Sequence, residues 1–437
     1  MGHLVGKDVY RALGHKLDSL GTRTPWNDTL RELLQELYSR EEAALLCTMP
    51  LGPSSLRRIA RSANSDEASV RTMLEGMCAK GLVMDLLVGE KTLYVPSPMV
   101  IGIFEFTMMR TGQGLDHAKM AKLFNTYMHE GGLFFGANFG HGETLSLMRV
   151  LPHEESLAEV PHLEVLDYER ARSLVEEHER FSIGLCSCRH EKDHLGGRTC
   201  TVPLETCSSF GLAADYLVRR RLAREVDKLE MLDNLARSRD LGLVFNADNV
   251  QRRITFICHC CGCCCNALLA VSRHGYTNAI VTSSYLAEID PARCKGCGTC
   301  VAACPVNALG TGTLQSAGKP GTMVPVLDKN FCLGCGVCGL KCPTGAIALV
   351  ERGQRVIPPE TTFERILLMA VERGLLGEVL FDDPRKLSHA FLRGFLGGFL
   401  RLPGVKQALI SKTLRSTFLE AIRQGAVRQG KEGLTRL

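Results

Sequence analysis

Two copies of one cysteine spacing leave this chain little freedom in how residues 294–343 can fold: Cys294-x₂-Cys297-x₂-Cys300-x₃-Cys304-Pro305 and Cys332-x₂-Cys335-x₂-Cys338-x₃-Cys342-Pro343. Every cysteine recurs 38 residues later, and so do Asp290/Asp328, Pro305/Pro343 and Ala308/Ala346, which marks a duplicated unit with a pseudo-twofold axis. Three thiolates so spaced line a tight loop around one four-iron core. Gly296, Gly298, Gly334 and Gly336 let the backbone curl and bring N–H groups close to sulfur. The fourth cysteine, followed by proline, points away and serves the cluster of the other repeat. The spacing therefore predicts two [4Fe–4S] clusters, one on Cys294, Cys297, Cys300 and Cys342, the other on Cys304, Cys332, Cys335 and Cys338.

These motifs resemble those of the clostridial-type dicluster ferredoxins over residues 284–352. The resemblance implies a small pair of β-hairpins with short helices and one-electron transfer. The Gly-rich insertion at 310–323 is longer than in the shortest members of that family.

Ten further cysteines need an account. Of the twenty in the chain, eighteen lie between Cys186 and Cys342. In a chain of this length with no apolar export segment, such crowding points to metal and away from disulfides. The first group is Cys186, Cys188, Cys200 and Cys207, four thiolates able to complete a third cluster. A Cys₄ zinc site competes, although paired C-x₂-C knuckles are missing. Arg189 and His190 beside these cysteines could donate to sulfur, but each alone reads as solvated surface. The second group is Cys258, Cys260, Cys261, Cys263, Cys264 and Cys265 around His259 and Gly262. Neighbouring side chains diverge on a strand or a helix, so these six serve one cluster with spare thiols or supply two. The Cys260-Cys261-Gly262 triplet resembles the cysteine-rich motifs of heterodisulfide-reductase-type subunits, which bind unusual clusters.

The remainder reads as an α+β, multidomain protein. Residues 28–97 give helix, helix, helix, hairpin, an order similar to a winged helix. Ser65 is read as the N-cap of the third helix, with Val70, Leu74 and Met77 on its buried stripe. Gly89-Glu90 is the hairpin turn. Residues 98–283 are read as a helical cysteine-rich domain, with the first cysteine group on loops and a helical stretch at about 208–241 leading into the second. Residues 353–437 are read as an amphipathic basic helical tail. From Arg385 onward there are 11 Lys/Arg against 2 Asp/Glu, so with +5 for the whole chain the first 384 residues carry 5 − 9 = −4. The basicity belongs to the tail. Leu387, Phe391, Phe395 and Phe399, with Leu392, Leu396 and Leu400, form one apolar stripe. Val405, Leu409, Leu414, Phe418 and Ile422 form a second. Packing on the protein or a partner is the simpler use. Arg393, Arg401, Lys406, Lys412 and Arg415 could instead meet lipid phosphates at a membrane surface.

The arrangement as a whole resembles a group of largely uncharacterised multi-cluster iron–sulfur proteins of anaerobic bacteria over roughly residues 28–350, which implies redox work in anaerobic metabolism. The sequence has no P-loop, no G-x-S-x-G elbow and no dinucleotide fingerprint, since Gly112-Gln113-Gly114 lacks a preceding strand. The expectation is a cytoplasmic electron-transfer protein or subunit of an oxidoreductase, more a relay than a catalyst, passing single electrons from a low-potential donor to a partner oxidoreductase. One or two clusters beyond the dicluster pair are expected. The alternatives are a redox-sensing winged-helix regulator and a catalytic subunit with an unusual cluster at 258–265.

The regulator reading is disfavoured by charge. Residues 66–80 hold Asp66, Glu67 and Glu75 against Arg71 and Lys80, a net of −1 where DNA readers place cations. Arg57, Arg58 and Arg61 on the preceding helix are the nearest basic cluster. Gel-shift or genome-wide selection with the full chain should show no preferred DNA site in either redox state; a reproducible nanomolar site would overturn this.

Overall fold

The computed structural model describes residues 8–111, 114–158, 165–316, 319–381, 387–400, 404–405, 409 and 412–428. Gly112, Gln113, Arg401 and Lys406, named above, lie outside them, as do the side chains of Leu387, Phe399, Lys412 and Leu414. Two compact units result. One comprises residues 1–145, 216–222 and 361–437, the other 146–215 and 223–360.

In the first unit the helices begin where short polar side chains can cap them. Asn27 caps Asp28–Leu37 by accepting from Leu30 N at 2.8 Å. Ser39 and Glu42 form a capping box on Arg40–Thr48, a helix the sequence reading did not separate, although Ser39-x-x-Glu42 is its signature. Ser55 caps Leu56–Ala63. Asp66 caps Glu67–Lys80, so the cap is Asp66 and not Ser65. That last helix ends on Gly81 at φ 79°, where an added Cβ would lie 2.3 Å from Phe106 Cβ. Val83–Val88 and Lys91–Pro96 then pair antiparallel, and Ser54 bridges to Tyr94. Leu30, Leu33, Leu34, Ile59, Val70, Leu74 and Met77 are all completely buried in this segment.

The C-terminal helices belong to the same unit. Thr362–Glu372 and Leu376–Leu380 pack with Leu387–Leu400 and Lys412–Arg428 around Leu367, Val371, Leu376, Leu400 and Leu419. The apolar stripes predicted for the tail are thus partly consumed internally: Leu396, Val405, Leu409, Phe418 and Ile422 join this core, while Phe391 and Phe395 stay exposed. Among the described residues no helix is long and apolar enough to cross a membrane.

Within residues 98–283, read as helical, Phe104–Met109, His117–His129 and Leu133–Phe139 are helices of the first unit, but the second unit adds a sheet that the reading lacked. From Met148 onward the chain builds a six-stranded sheet in the order Met148–Leu151, Val244–Asp248, Phe256–Cys260, Glu205–Phe210, Phe181–Leu185, Ala223–Val226. All neighbours within it are antiparallel. The period-2 signal was present in Phe181/Ile183 and in Phe256/Cys258/Cys260, but cysteine is both a ligand and a small apolar residue, and it hides a strand from a reader who sees only ligands. Phe181, Ile183, Phe210, Phe245, Ala247 and Ile257 form the core under the helices Ala171–Glu176 and Lys228–Asp240.

One ion cluster ties the strand Val83–Val88 to residues 216–222 within the first unit. The Asp85 carboxylate, about 5% exposed, receives Arg219 and Arg220, with Arg220 donating at 2.9 and 2.8 Å. Burial works against its charge, but the arginines outweigh it and hold its pKa below the usual carboxylate value. A depressed carboxylate contributes stability above its unfolded pKa of about 3.9 and loses it as pH falls below. Asp85→Asn should therefore cost about 1–3 kcal/mol at pH 7, by removing the charged acceptor of two half-buried arginines, and the difference from the native chain should shrink towards pH 3. Denaturant unfolding at the two pH values measures both; an equal cost at both would show that the charge is irrelevant.

Candidate metal centres

In residues 284–352 the strands Tyr285–Ile289 and Ile347–Glu351 pair antiparallel, beside the hairpin Leu309–Ser316 and Lys319–Leu327. Each cysteine loop leads into a short helix, Thr299–Ala303 or Val337–Leu340, through a left-handed glycine, Gly298 at φ 74° and Gly336 at φ 83°. Gly334 is required by space as well. A Cβ there would lie 2.1 Å from the Tyr285 carbonyl oxygen and 2.3 Å from Ser283 Oγ.

The eight cysteines stand in two crossed sets. Cys304 lines one cavity together with Cys332, Cys335 and Cys338, among Ala287, Val306, Leu309, Leu333 and Leu349. Cys342, from the second repeat, acts on the thiols of Cys297 and Cys300 in the first. Four thiols in an apolar cradle suit a cluster, whose thiolate ligands need no other protein base. Backbone N–H groups donate to sulfur at equivalent places in the repeat, Ala308 to Cys304 and Ala346 to Cys342, both at 3.2 Å.

The two sets differ in exposure. Cys332, Cys335 and Cys338 are buried, and burial with the neighbouring thiols pushes Cys335 up to about 12. Their loop is fastened from outside by Ser283 Oγ donating to Gly334 O and Ser156 Oγ donating to Gly336 O, each at 2.8 Å, and by Arg352 donating to Cys332 O. Cys297 is exposed and lies in a loop whose Lys295 and Thr299 face solvent.

The other ten cysteines gather where the large sheet ends. Cys186 follows the strand Phe181–Leu185 and precedes the helix Ser187–His194, which carries Cys188. Cys207 lies on Glu205–Phe210. The pairing of Ser208 with Ile257 places Cys207 across from Cys258. Cys258 and Cys260 share one face of Phe256–Cys260, as the period of a strand requires; His259 points to the other, against Phe245. Cys261–Cys264 form a turn closed by Cys265 N donating to Cys261 O at 3.2 Å, and Cys265 precedes the helix Asn266–Ser272.

This geometry sorts the ten by neighbour and not by sequence group. Cys188 faces Cys265, Cys258 faces Cys207 and Cys260, and Cys260 also meets Cys265. Cys186 stands close enough to Cys188, Cys207 and Cys260 to act on their charge. Cys200 does not join them: it lies 3.7 Å from Cys261, sulfur to sulfur. The expected set of Cys186, Cys188, Cys200 and Cys207 is thus split, because the strand pairing takes Cys207 to Cys258 while Cys200 sits on a loop free to reach the turn.

Arg189 lies between the two groups and is completely buried, contrary to its reading as solvated surface. It donates to Pro203 O and Thr206 Oγ1 at 2.7 Å each and to His259 O. Burial disfavours its charge, but the thiols of Cys186, Cys261 and Cys260 keep its pKa above the ordinary arginine value. The strongest favourable influences on it are thiols, and buried Glu191 is engaged by Lys192 at 3.2 Å and by Asn266 at 2.9 Å. His190 is half-buried and bonds His194. Sequence reasoning also missed Asn246, completely buried on the adjacent strand opposite Cys258 with both amide atoms unpartnered beside the thiols; nothing in its local sequence distinguishes it.

Among known families, a model described as a 4Fe-4S dicluster domain matches residues 293–346. No curated protein matches the chain. The family match supports a dicluster ferredoxin domain in this segment. With twenty cysteines in the chain, it supports an iron–sulfur electron-transfer role.

Proposed function

We propose that this chain is a one-electron relay in which a dicluster ferredoxin domain and a separate buried thiol centre stand in line, joining a low-potential donor to a partner oxidoreductase. The observation that carries the reading is the contact at Gly262. Flanked by Cys261 and Cys263, Gly262 packs so closely on Pro305 that an added Cβ would lie 3.0 Å from its carbonyl oxygen and 3.1 Å from its Cα. Pro305 follows Cys304, so the cysteine-rich turn touches the backbone that carries one of the dicluster thiols.

A [4Fe–4S] cluster, when bound, supplies reversible one-electron chemistry. The chain's own residues do the rest. Cys294, Cys297, Cys300 and Cys342 would hold the exposed cluster, and their open loop gives a partner access. Cys304, Cys332, Cys335 and Cys338 would hold the buried one, dry beneath Ser156, Ser283 and Arg352. Four of the six thiols of Cys186, Cys188, Cys207, Cys258, Cys260 and Cys265 would hold a third, with Arg189 offsetting its negative charge and the unpartnered amide of Asn246 available to donate to sulfur. Hydrogen bonds to sulfur and solvent exposure tune such potentials, so the exposed and buried positions should differ. Residues 28–97, winged-helix-like and acidic where a DNA reader would be basic, serve docking in this reading.

Two experiments test it. Anaerobic reconstitution should give iron and acid-labile sulfide of about twelve each per chain; about eight would remove the third cluster. Gly262→Ala should keep those contents and slow electron arrival at the third centre several-fold, seen by freeze-quench EPR after a reductant pulse. An unchanged delay would break the line.

The crossed ligation has its own expected outcome. Cys304→Ala should leave an oxidised three-iron EPR signal that survives emptying of the first loop by Cys294→Ala with Cys297→Ala. If the signal instead depends on that loop, each repeat holds its own cluster.

A further inference from the structure

We infer that Cys200, Cys261, Cys263 and Cys264 form a mononuclear site for a tetrahedral divalent ion, Zn²⁺ or Fe²⁺, separate from every sulfide-bridged cluster in the chain. All four sulfurs lie within 4.8 Å of one another. The separations are 3.7 Å for Cys200 to Cys261, 3.7 Å for Cys261 to Cys263 and 3.2 Å for Cys263 to Cys264. Metal–sulfur bonds of about 2.3 Å in a regular tetrahedron place sulfurs about 3.8 Å apart. A cubane distributes its thiolates over four irons, one to each, and needs them farther apart.

The chain supplies its own control for that distinction. Among the described residues, no three thiols of either dicluster set, and no three of the six around Cys260, close to the same mutual spacing. In those sets thiols meet at most in pairs, whereas the four outer thiols converge on one point.

Local structure explains how adjacent residues converge here. On a strand or helix Cys263 and Cys264 would diverge. They sit instead in the turn that ends the strand Phe256–Cys260, where the chain reverses and turns Cys261, Cys263 and Cys264 towards one point. The fourth thiol comes from a loop held by Arg198, which donates to Cys200 O at 3.1 Å and to Val202 O. The ion would clip this loop to the turn and so hold Gly262 against Pro305. Thiolates must be deprotonated to bind, and four of them around a divalent ion leave a net charge of −2. Arg189, buried and hydrogen-bonded to Cys261, is placed to offset it. An all-thiolate tetrahedron selects Zn²⁺ or Fe²⁺ over the hard cations.

The test uses the full chain purified anaerobically, with zinc, iron and acid-labile sulfide counted together. Expected is one zinc or iron ion per chain in excess of sulfide. Cys200→Ser and, separately, Cys263→Ser should each remove that one ion while sulfide content and the dicluster EPR signals stay unchanged, which also shows that the variant is folded. Co²⁺ added to chain stripped of the ion should give the intense visible absorption of a tetrahedral cobalt thiolate, absent in Cys200→Ser. Sulfide lost together with the metal in either variant would make the site a cluster. An unchanged metal count, or a Cys263–Cys264 disulfide in the anaerobic chain, would overturn the site altogether.

Discussion

Arg189 carries a positive charge where water does not reach, and the centre around it depends on how that charge is answered. An isolated buried cation is costly, and the usual answer is a carboxylate. Here Glu191 is already committed to Lys192 and Asn266, and the groups that favour the guanidinium are thiols from both cysteine groups. Cys260 and Cys261 in turn are driven down, to about 6 and about 5, chiefly by hydrogen bonds from neighbouring thiols. Cation and sulfur each make the other's charged form tolerable, and a metal centre is the arrangement in which many thiolates stand together. Arg189 is also a structural tie, since its three acceptors come from the loop before Glu205, the strand Glu205–Phe210 and the strand Phe256–Cys260.

That coupling explains why a sheet underlies this centre. Antiparallel pairing fixes residues opposite one another to within an ångström or so, and the register of Ser208 with Ile257 brings Cys207 to Cys258 from fifty-one positions away in the chain. A strand delivers thiols to one face at every second residue; a turn at its end gathers those that follow. The run from Cys258 to Cys265 uses both devices in succession, so its six cysteines serve two neighbourhoods without strain.

The dicluster segment works differently. Its loops are short, curled by left-handed glycines and fastened by hydrogen bonds to backbone carbonyls, so each set of thiols is nearly complete within its own seventy residues. Burial distinguishes the two sets: one loop is open to solvent, the other lies under Ser156, Ser283 and Arg352. Gly262 then joins the dicluster segment to the ten-cysteine centre by its lack of a side chain, since any larger residue would force its backbone away from Pro305.

The sequence alone determined what is local. The repeat of 38 residues announced the dicluster domain, because cluster loops are built from cysteine spacing and glycine placement over a dozen residues. The Gly89 turn was legible for the same reason, and the third helix was placed to within one residue of its cap at Asp66, although the Ser39–Glu42 capping box went unread. Tertiary structure decided what depends on strand register and loop reach. It took Cys200 from its sequence neighbours and gave it to Cys261, buried Arg189 between thiols, and set Asn246 opposite Cys258. It also turned a stretch read as helical into a sheet. No local pattern could reveal these, since pairing between distant strands is settled by the packing of Phe181, Phe210, Phe245 and Ile257 in a common core, and only then do the ligands meet.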